Sequence, residues 1–281
     1  MVIFKDIETL RAHLTSARGT NATIGFVPTM GALHEGHISL IRASKASNLL
    51  TVCSIYVNPA QFNNSSDLQK YPRTLEQDVK LLEKEGCEVL FVPSDSEMYN
   101  ANTSLSFDFG HLDKVLEGKY RPGHFSGVAL VVSKLFNIVQ PDRVYFGQKD
   151  FQQLQIIKHL RNQLMFQLEI CSVPIVRLQS GLALSSRNAR LSKNDLKQAL
   201  LLFESLNYGL KALRANSEFS IIRVEVAKRF EGIKGVKLEY FELVDRESLE
   251  LLEKFDKGRN SILLIAAYIG DVRLIDNMLV E

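Results

Sequence analysis

His34 and His37 stand three positions apart in the run Pro28-Thr-Met-Gly-Ala-Leu-His-Glu-Gly-His37. The run lies between an apolar stretch, Ala22-Thr-Ile-Gly-Phe-Val27, and residues with helical apolar spacing at Ile38, Leu40 and Ile41. The first stretch predicts a buried parallel strand and the second a helix. Gly31 and Gly36 therefore fall where strand turns into helix, with both imidazoles on one face of its first turn. A helix N-terminus carries unpaired N–H groups and partial positive charge, so phosphate is its natural ligand. Imidazoles set there can donate hydrogen bonds to phosphate oxygens whose charge grows during reaction. This chemistry is that of a nucleotide site. Zinc is the weaker reading: metalloprotease histidines lie four apart with Glu after the first, and no third ligand presents itself.

Four other segments carry residues of matching chemistry. Asn58-Pro-Ala-Gln-Phe62 follows a second apolar run, Leu49–Val57. Gly147-Gln-Lys-Asp150 follows Arg143–Gly147, with Gln153 one turn later. Val176 ends another apolar run, and Leu184-Ser-Ser-Arg187 lies in a polar loop after Gly181. Together they add a lysine, an arginine and two serines suited to polyphosphate, and uncharged amides suited to a small polar substrate. No serine or cysteine has an evident partner base, so covalent catalysis is not indicated.

The elements that must position these residues alternate. Strands are expected at 22–28, 49–57, 88–93, 143–147 and 168–176. Helices are expected at about 36–48, 74–85, 123–139 and 150–164. Strands buried on both faces that alternate with helices mean a parallel sheet with right-handed crossovers, a doubly wound, Rossmann-like α/β domain. Ligands of such sheets lie beyond the strands' carboxyl ends, where these motifs fall. From about residue 177 the pattern changes. One long helix is expected from Ser192 to Ala215 and another at about 219–231. Strands follow at 236–244, 261–269 and 272–278, the last two joined by the hairpin turn Gly270-Asp271. The expected organisation is a first domain over 1–176 and a smaller α+β domain with an antiparallel sheet over 177–281.

At 281 residues and 46% hydrophobic, the chain can bury a large core. With 34 Lys+Arg against 32 Asp+Glu, no general field recruits nucleic acid or an anionic membrane. No signal peptide or bilayer-long apolar run is present, so a cytoplasmic protein is expected. Cys53, Cys87 and Cys171 lack metal or redox spacing and read as buried small hydrophobes. His124 reads as a helix-start residue.

Six segments, Pro28–His37, Asn58–Phe62, Tyr71-Pro-Arg-Thr74, Gly123-His-Phe-Ser-Gly127, Phe146–Leu154 and Leu184-Ser-Ser-Arg-Asn188, closely resemble the pantothenate synthetase family. The match runs in order from about residue 3 to the C-terminus and is densest between 24 and 190. The histidine motif alone occurs across a superfamily of nucleotidyltransferases; the set in this order is far more specific. The resemblance implies an ATP-dependent ligase that joins pantoate to β-alanine. Pantoate carboxylate would attack the α-phosphorus to give a pantoyl-adenylate and pyrophosphate, and the β-alanine amine would then release AMP and pantothenate.

The same resemblance implies roles for residues. Met30, Gly31, Ala32, Leu33, His34, Glu35, Gly36 and His37 would border ATP, His37 as proton donor and His34 beside it on the phosphates. Gly147, Gln148, Lys149, Asp150 and Val176 would hold adenosine and ribose, with Lys149 reaching toward phosphate. Leu184, Ser185, Ser186 and Arg187 would close over the β- and γ-phosphates. Gln61 and Gln153 would grip pantoate, Gln61 also near β-alanine. Asp78 is a candidate for water-mediated contact with Mg²⁺. Leu184 stands where the family often has Met, and Gln148 where it often has Glu. A homodimer through the first domain is implied, and the second domain is expected to act as a lid. Two other functions compete with this one. Adenylylation of a phosphorylated acceptor would need a further basic cluster. A non-catalytic nucleotide sensor would be expected to lose the groups retained at His34, His37, Lys149 and Arg187.

Overall fold

Runs of branched and aromatic residues become strands in the computed structural model, which describes residues 1–99 and 105–280. Met1–Gln148 and Gln152–Pro174 form one unit; Lys149–Phe151 and Ile175–Glu281 form another. The first contains β1 (Val2–Phe4), β2 (Ile24–Thr29), β3 (Leu50–Ile55), β4 (Val89–Phe91), β5 (Arg143–Gly147) and β6 (Glu169–Val173). They pair in parallel in the order β1-β4-β3-β2-β5-β6. Successive side chains point to opposite faces, and both faces are buried. Phe26, Val89 and Phe91 join the core built with helices Ile7–Arg18, His124–Val139 and Phe151–Gln163. Val27, Cys53 and Leu90 join the core on the other face, with helices Glu35–Ser47 and Leu75–Lys84. The doubly wound α/β expectation holds.

β1 and the helix Ile7–Arg18 lie outside the elements expected above. The strand is a three-residue edge, too short for a periodic signal. The helix carries its signals openly: the Asp6 side chain accepts the Thr9 N–H at 2.9 Å, and Leu10 and Leu14, four apart, are fully buried.

In this sheet β2 lies between β3 and β5, so the chain leaves β2 toward one side and returns on the other. That reversal is the topological switch point at which α/β sheets bind ligands. Carboxyl ends of the adjacent strands β2 and β5 lead directly into Met30–His37 and into Gln148–Asp150.

In the second unit β7 (Val236–Asp245), β8 (Ser261–Ile269) and β9 (Val272–Val280) form an antiparallel sheet. Gly270, in the turn between β8 and β9, has φ +59°, which suits its lack of a Cβ. Helices Leu200–Arg214 and Phe219–Phe230 share the core with this sheet, where the Phe219 and Phe241 rings stack at 5.8 Å. The long helix expected from Ser192 to Ala215 is two helices, Lys193–Gln198 and Leu200–Arg214, meeting at Ala199. Neither Pro nor Gly marks that break; the fully buried Ala199, itself in right-handed helical conformation, separates the two helices. Arg177 donates bidentately to Asp276 at 2.6 and 2.9 Å and also to the carbonyls of Gly181 and Asn277. This pair, a half-buried Arg177 on a buried Asp276, ties the segment around Gly181 to β9.

Among the described residues no helix is long and apolar enough to cross a membrane. Cys53 and Cys87 are core side chains; burial pushes both thiols up, Cys87 to about 12. Thiols so placed are poor nucleophiles.

Candidate active site

The turn leaving β2 is held by side chains at nearly every N–H. Thr29 Oγ1 donates to the Ser54 carbonyl at 2.8 Å and accepts the Gly31 N–H at 3.1 Å. Gly31 has φ +77°, and a Cβ there would lie 3.0 Å from Ile55 Cγ2 and 3.1 Å from Asp78 Oδ2. Only glycine meets both conditions without strain. Ala32 N–H and Leu33 N–H donate to Asp78 Oδ2 and Oδ1 at 2.9 and 2.8 Å. His34 is the N-cap of helix Glu35–Ser47, and its Nδ1 accepts the Gly36 N–H at 3.1 Å. His37 reaches back, its Nδ1 accepting the His34 N–H at 3.3 Å.

This corrects one expectation. The N–H groups of Gly31, Ala32, Leu33, His34 and Gly36 already have partners, so the helix start does not present them as a bare phosphate cradle. The reciprocal cap decides the state of the imidazoles instead. A backbone N–H can only donate, so both Nδ1 atoms must be unprotonated acceptors, and in the neutral ring the proton sits on Nε2. With their centroids 4.1 Å apart, the two rings form a pair of Nε2–H donors. A second proton on either ring would cost a cap hydrogen bond.

Met30, at the start of the turn, meets the segment after β3. Gln61 Nε2 donates to Met30 Sδ at 3.0 Å, and Gln61 Oε1 accepts from Asn58 Nδ2 at 3.2 Å. Asn58 is fully engaged: Nδ2 also donates to the Gly127 carbonyl at 3.1 Å, and Oδ1 accepts the Tyr99 hydroxyl at 2.7 Å. His124 Nδ1 lies 2.7 Å from the Gln61 carbonyl, which can only accept, so this ring carries its proton on Nδ1. Its Nε2 then faces Arg121 Nη1 at 3.1 Å. Asn58, Gln61 and His124 are all buried, so this network fixes Gln61 from both its amide and its backbone. Asn58, Tyr99, Arg121 and His124 are not among the site residues expected from the sequence. Asn58 and His124 both lay inside the motifs quoted above, which was the available signal.

Helix His124–Val139 makes this arrangement possible by presenting Gly127 to the turn at Pro59–Gln61. A Cβ at Gly127 would fall 2.2 Å from the Ala60 carbonyl oxygen and 2.7 Å from the Gln61 nitrogen. Backbone atoms cannot swing aside, so Gly127→Ala is expected to cost about 1–3 kcal/mol, less any gain in helix propensity. Thermal unfolding measures this; parental stability would contradict the close approach.

Adjacent glutamines on helix Phe151–Gln163 have different environments. Gln152 is buried; it accepts the Glu117 N–H and donates to the carbonyls of Leu112 and Val115. Gln153 is half-buried, and among the described residues its amide makes no hydrogen bond, which leaves it available to a ligand. Gln148, whose role the motif left open, donates to Ser172 Oγ on β6 at 2.9 Å. A glutamate at that position would bring a carboxylate to the same hydroxyl. Gly147 ends β5.

The other candidates belong to the second unit. Lys149 Nζ lies 3.8 Å from Asp150 Oδ1, and the Lys149 carbonyl accepts Asn277 Nδ2 at 2.9 Å. Leu184 N–H donates to the Val176 carbonyl at 3.0 Å, placing those two together. Ser185 caps the short helix Ser186–Arg190 by accepting the Arg187 N–H at 3.3 Å. Leu184, Ser185, Ser186 and Arg187 are all half-buried.

Mg²⁺, which the family resemblance implies, does not fit a protein-held site here. Among the described residues no group of three or more His, Cys, Asp or Glu side chains could hold a metal ion. Asp78 spends Oδ1 on Leu33 N–H and the Thr74 hydroxyl and Oδ2 on Ala32 N–H, and it is 2% exposed. A divalent ion that keeps several waters needs open carboxylate oxygens.

A six-stranded parallel sheet, a histidine-capped turn at its switch point and buried amides beside that turn define an α/β protein of the nucleotide-binding class. The family model for pantoate-beta-alanine ligase matches residues 2–279. A pantothenate synthetase of Cytophaga hutchinsonii is 44% identical over 281 residues, covering 100% of this chain and 99% of its own. The crystal structure of pantothenate synthetase from Thermus thermophilus matches with TM-score 0.92 and 37% identity, covering 100% of this chain and 99% of its own. Pantoate-beta-alanine ligase from Francisella tularensis, crystallised with beta-gamma ATP and beta-alanine, matches with TM-score 0.82 and 37% identity, over 99% and 97%. The chain belongs to the pantoate-beta-alanine ligase family.

Proposed function

We propose that the chain condenses pantoate with β-alanine at the expense of ATP, through a pantoyl-adenylate, releasing AMP and pyrophosphate. The observation that carries this reading is the reciprocal His34–His37 cap at the end of β2, next to the strand that leads into Gln148–Asp150. A carboxylate resists amine attack because its leaving group would be oxide; adenylation supplies a better one. In the first step a pantoate oxygen bonds to the α-phosphorus, and the bond to the bridging oxygen breaks with its electrons leaving on pyrophosphate. Charge grows on the phosphate oxygens, and the His34 and His37 Nε2–H groups donate to them. Such transfers depend mainly on positioning and charge neutralisation, which Lys149 and Arg187 also supply in this reading. Mg²⁺ enters only as the counterion of the triphosphate. In the second step neutral β-alanine amine attacks the acyl carbon, the acyl C–O bond breaks with its electrons leaving on AMP, and the surplus proton on nitrogen passes to solvent.

Gln61 and Gln153 hold pantoate in this scheme, Gln61 from its buried network and Gln153 with its uncommitted amide. Gln153→Ala is expected to raise KM for pantoate about tenfold or more and KM for ATP far less. Steady-state kinetics in both substrates measures this, and equal effects would remove the assignment. A homodimer through the first unit belongs to the same proposal. The test of the whole is product analysis with ATP, pantoate and β-alanine: AMP, pyrophosphate and pantothenate in equal amounts support it. ADP and phosphate as products would refute it.

A further inference from the structure

Asp78 sits 45 and 46 residues away from the two amides it binds, on the first turn of helix Leu75–Lys84. Its carboxylate plane spans the bend at which Ala32 takes φ +48°, a left-handed value uncommon for a residue with a Cβ. A backbone held in that region persists only where its surroundings enforce it. Two charge-assisted bonds to consecutive N–H groups are such an enforcement, and they end one residue before the cap His34. Thr74 Oγ1 donates to Asp78 Oδ1 at 3.2 Å and fixes the carboxylate's rotation. A cavity of about 450 Å³ borders Asp78, Gly31 and Ala32. Yet the residue is only 2% exposed, so its oxygens serve the turn and not the opening.

We infer that Asp78 is a positioning residue for the histidine pair: it locks the left-handed bend at Ala32 so that His34 and His37 are presented in one geometry. The inference rests on the ligase reading for its effect on turnover, and on the turn alone for its effect on structure.

Asp78→Asn leaves one side-chain oxygen for two N–H groups and aims an amide N–H at the other. With folding checked by thermal unfolding, amide hydrogen exchange across residues 31–34 should accelerate about tenfold or more, because a pinned segment becomes free to open locally. Turnover should fall roughly ten- to a hundredfold, since donors displaced from the transition state lose most of their effect. The Mg²⁺ concentration for half-maximal rate should stay within about twofold, because Asp78 has no open oxygen for the ion. Unchanged exchange, with turnover restored by high Mg²⁺, would make Asp78 a metal contact and overturn the inference. Thr74→Val, which removes only the hydroxyl beneath Asp78, serves if Asp78→Asn does not fold. Exchange should then accelerate in the same segment by a smaller factor, and parental exchange would overturn it. Exchange needs no substrate, so faster exchange in a protein that makes no pantothenate supports the positioning role while the ligase reading fails.

Discussion

Replacing His37 with alanine is expected to lower turnover by about two to three powers of ten while the fold survives. Two losses are combined in this variant, and their magnitudes separate them. In the proposed mechanism the Nε2–H donor to the developing phosphate charge disappears, and oxyanion-type donors are worth about a hundred- to a thousandfold in rate. The Nδ1 acceptor for His34 N–H also disappears, which removes half of the reciprocal cap at about 1 kcal/mol. Such a loss lowers the melting temperature by a few degrees and leaves the protein folded at assay temperature. His37→Asn keeps a short polar acceptor and lacks the distal donor, so stability should recover while turnover stays low. Urea unfolding and steady-state rates measured together on both variants decide it. Near-parental turnover in His37→Ala would remove the imidazole from the chemistry.

Lys149→Ala is the other large effect, and it should fall on one half-reaction. The side chain is 17% exposed and lies 3.8 Å from Asp150. Asp150 is the carboxylate in ion-pair range, and Asp276, which also feels this charge, is already held by Arg177, so the ammonium is able to turn to a phosphate oxygen. The carbonyl of Lys149, which accepts Asn277 Nδ2, belongs to the backbone and remains in the variant. The substitution therefore removes a cation and little structure. Formation of pantoyl-adenylate in a single turnover should slow about a hundredfold, whereas its reaction with β-alanine should change far less. Rapid quench with labelled ATP follows the first step, and chemically prepared pantoyl-adenylate follows the second. Unchanged adenylate formation would take Lys149 out of the mechanism.

The turn is legible in the sequence because everything that marks it is local. A buried apolar strand, Gly31 and Gly36, and two histidines at helical spacing all lie within Ala22–His37. The parallel sheet was legible for a similar reason: strands buried on both faces carry continuous apolar runs. The satisfied N–H groups of the turn were not legible. Thr29 and the two histidines act locally, but Asp78 arrives from another helix, and nothing near Ala32 announces it. His124 shows the same limit. Alone it is a histidine at a helix start; only the approach of Gly127 to Ala60 brings it onto the Gln61 carbonyl. The break at Ala199 left no mark either, because the apolar spacing runs through it without a breaking residue. Helix Ile7–Arg18 is a different case, since Asp6, Leu10 and Leu14 were present to be read.

The claim beneath these expectations is that the histidine-capped turn activates a carboxylate by adenylation before any amine takes part. Exchange of labelled pyrophosphate into ATP, with pantoate present and β-alanine absent, tests that claim most directly. Exchange should depend on pantoate and be largely lost in His37→Ala. Exchange that proceeds without pantoate, or that appears only when β-alanine is added, would contradict it.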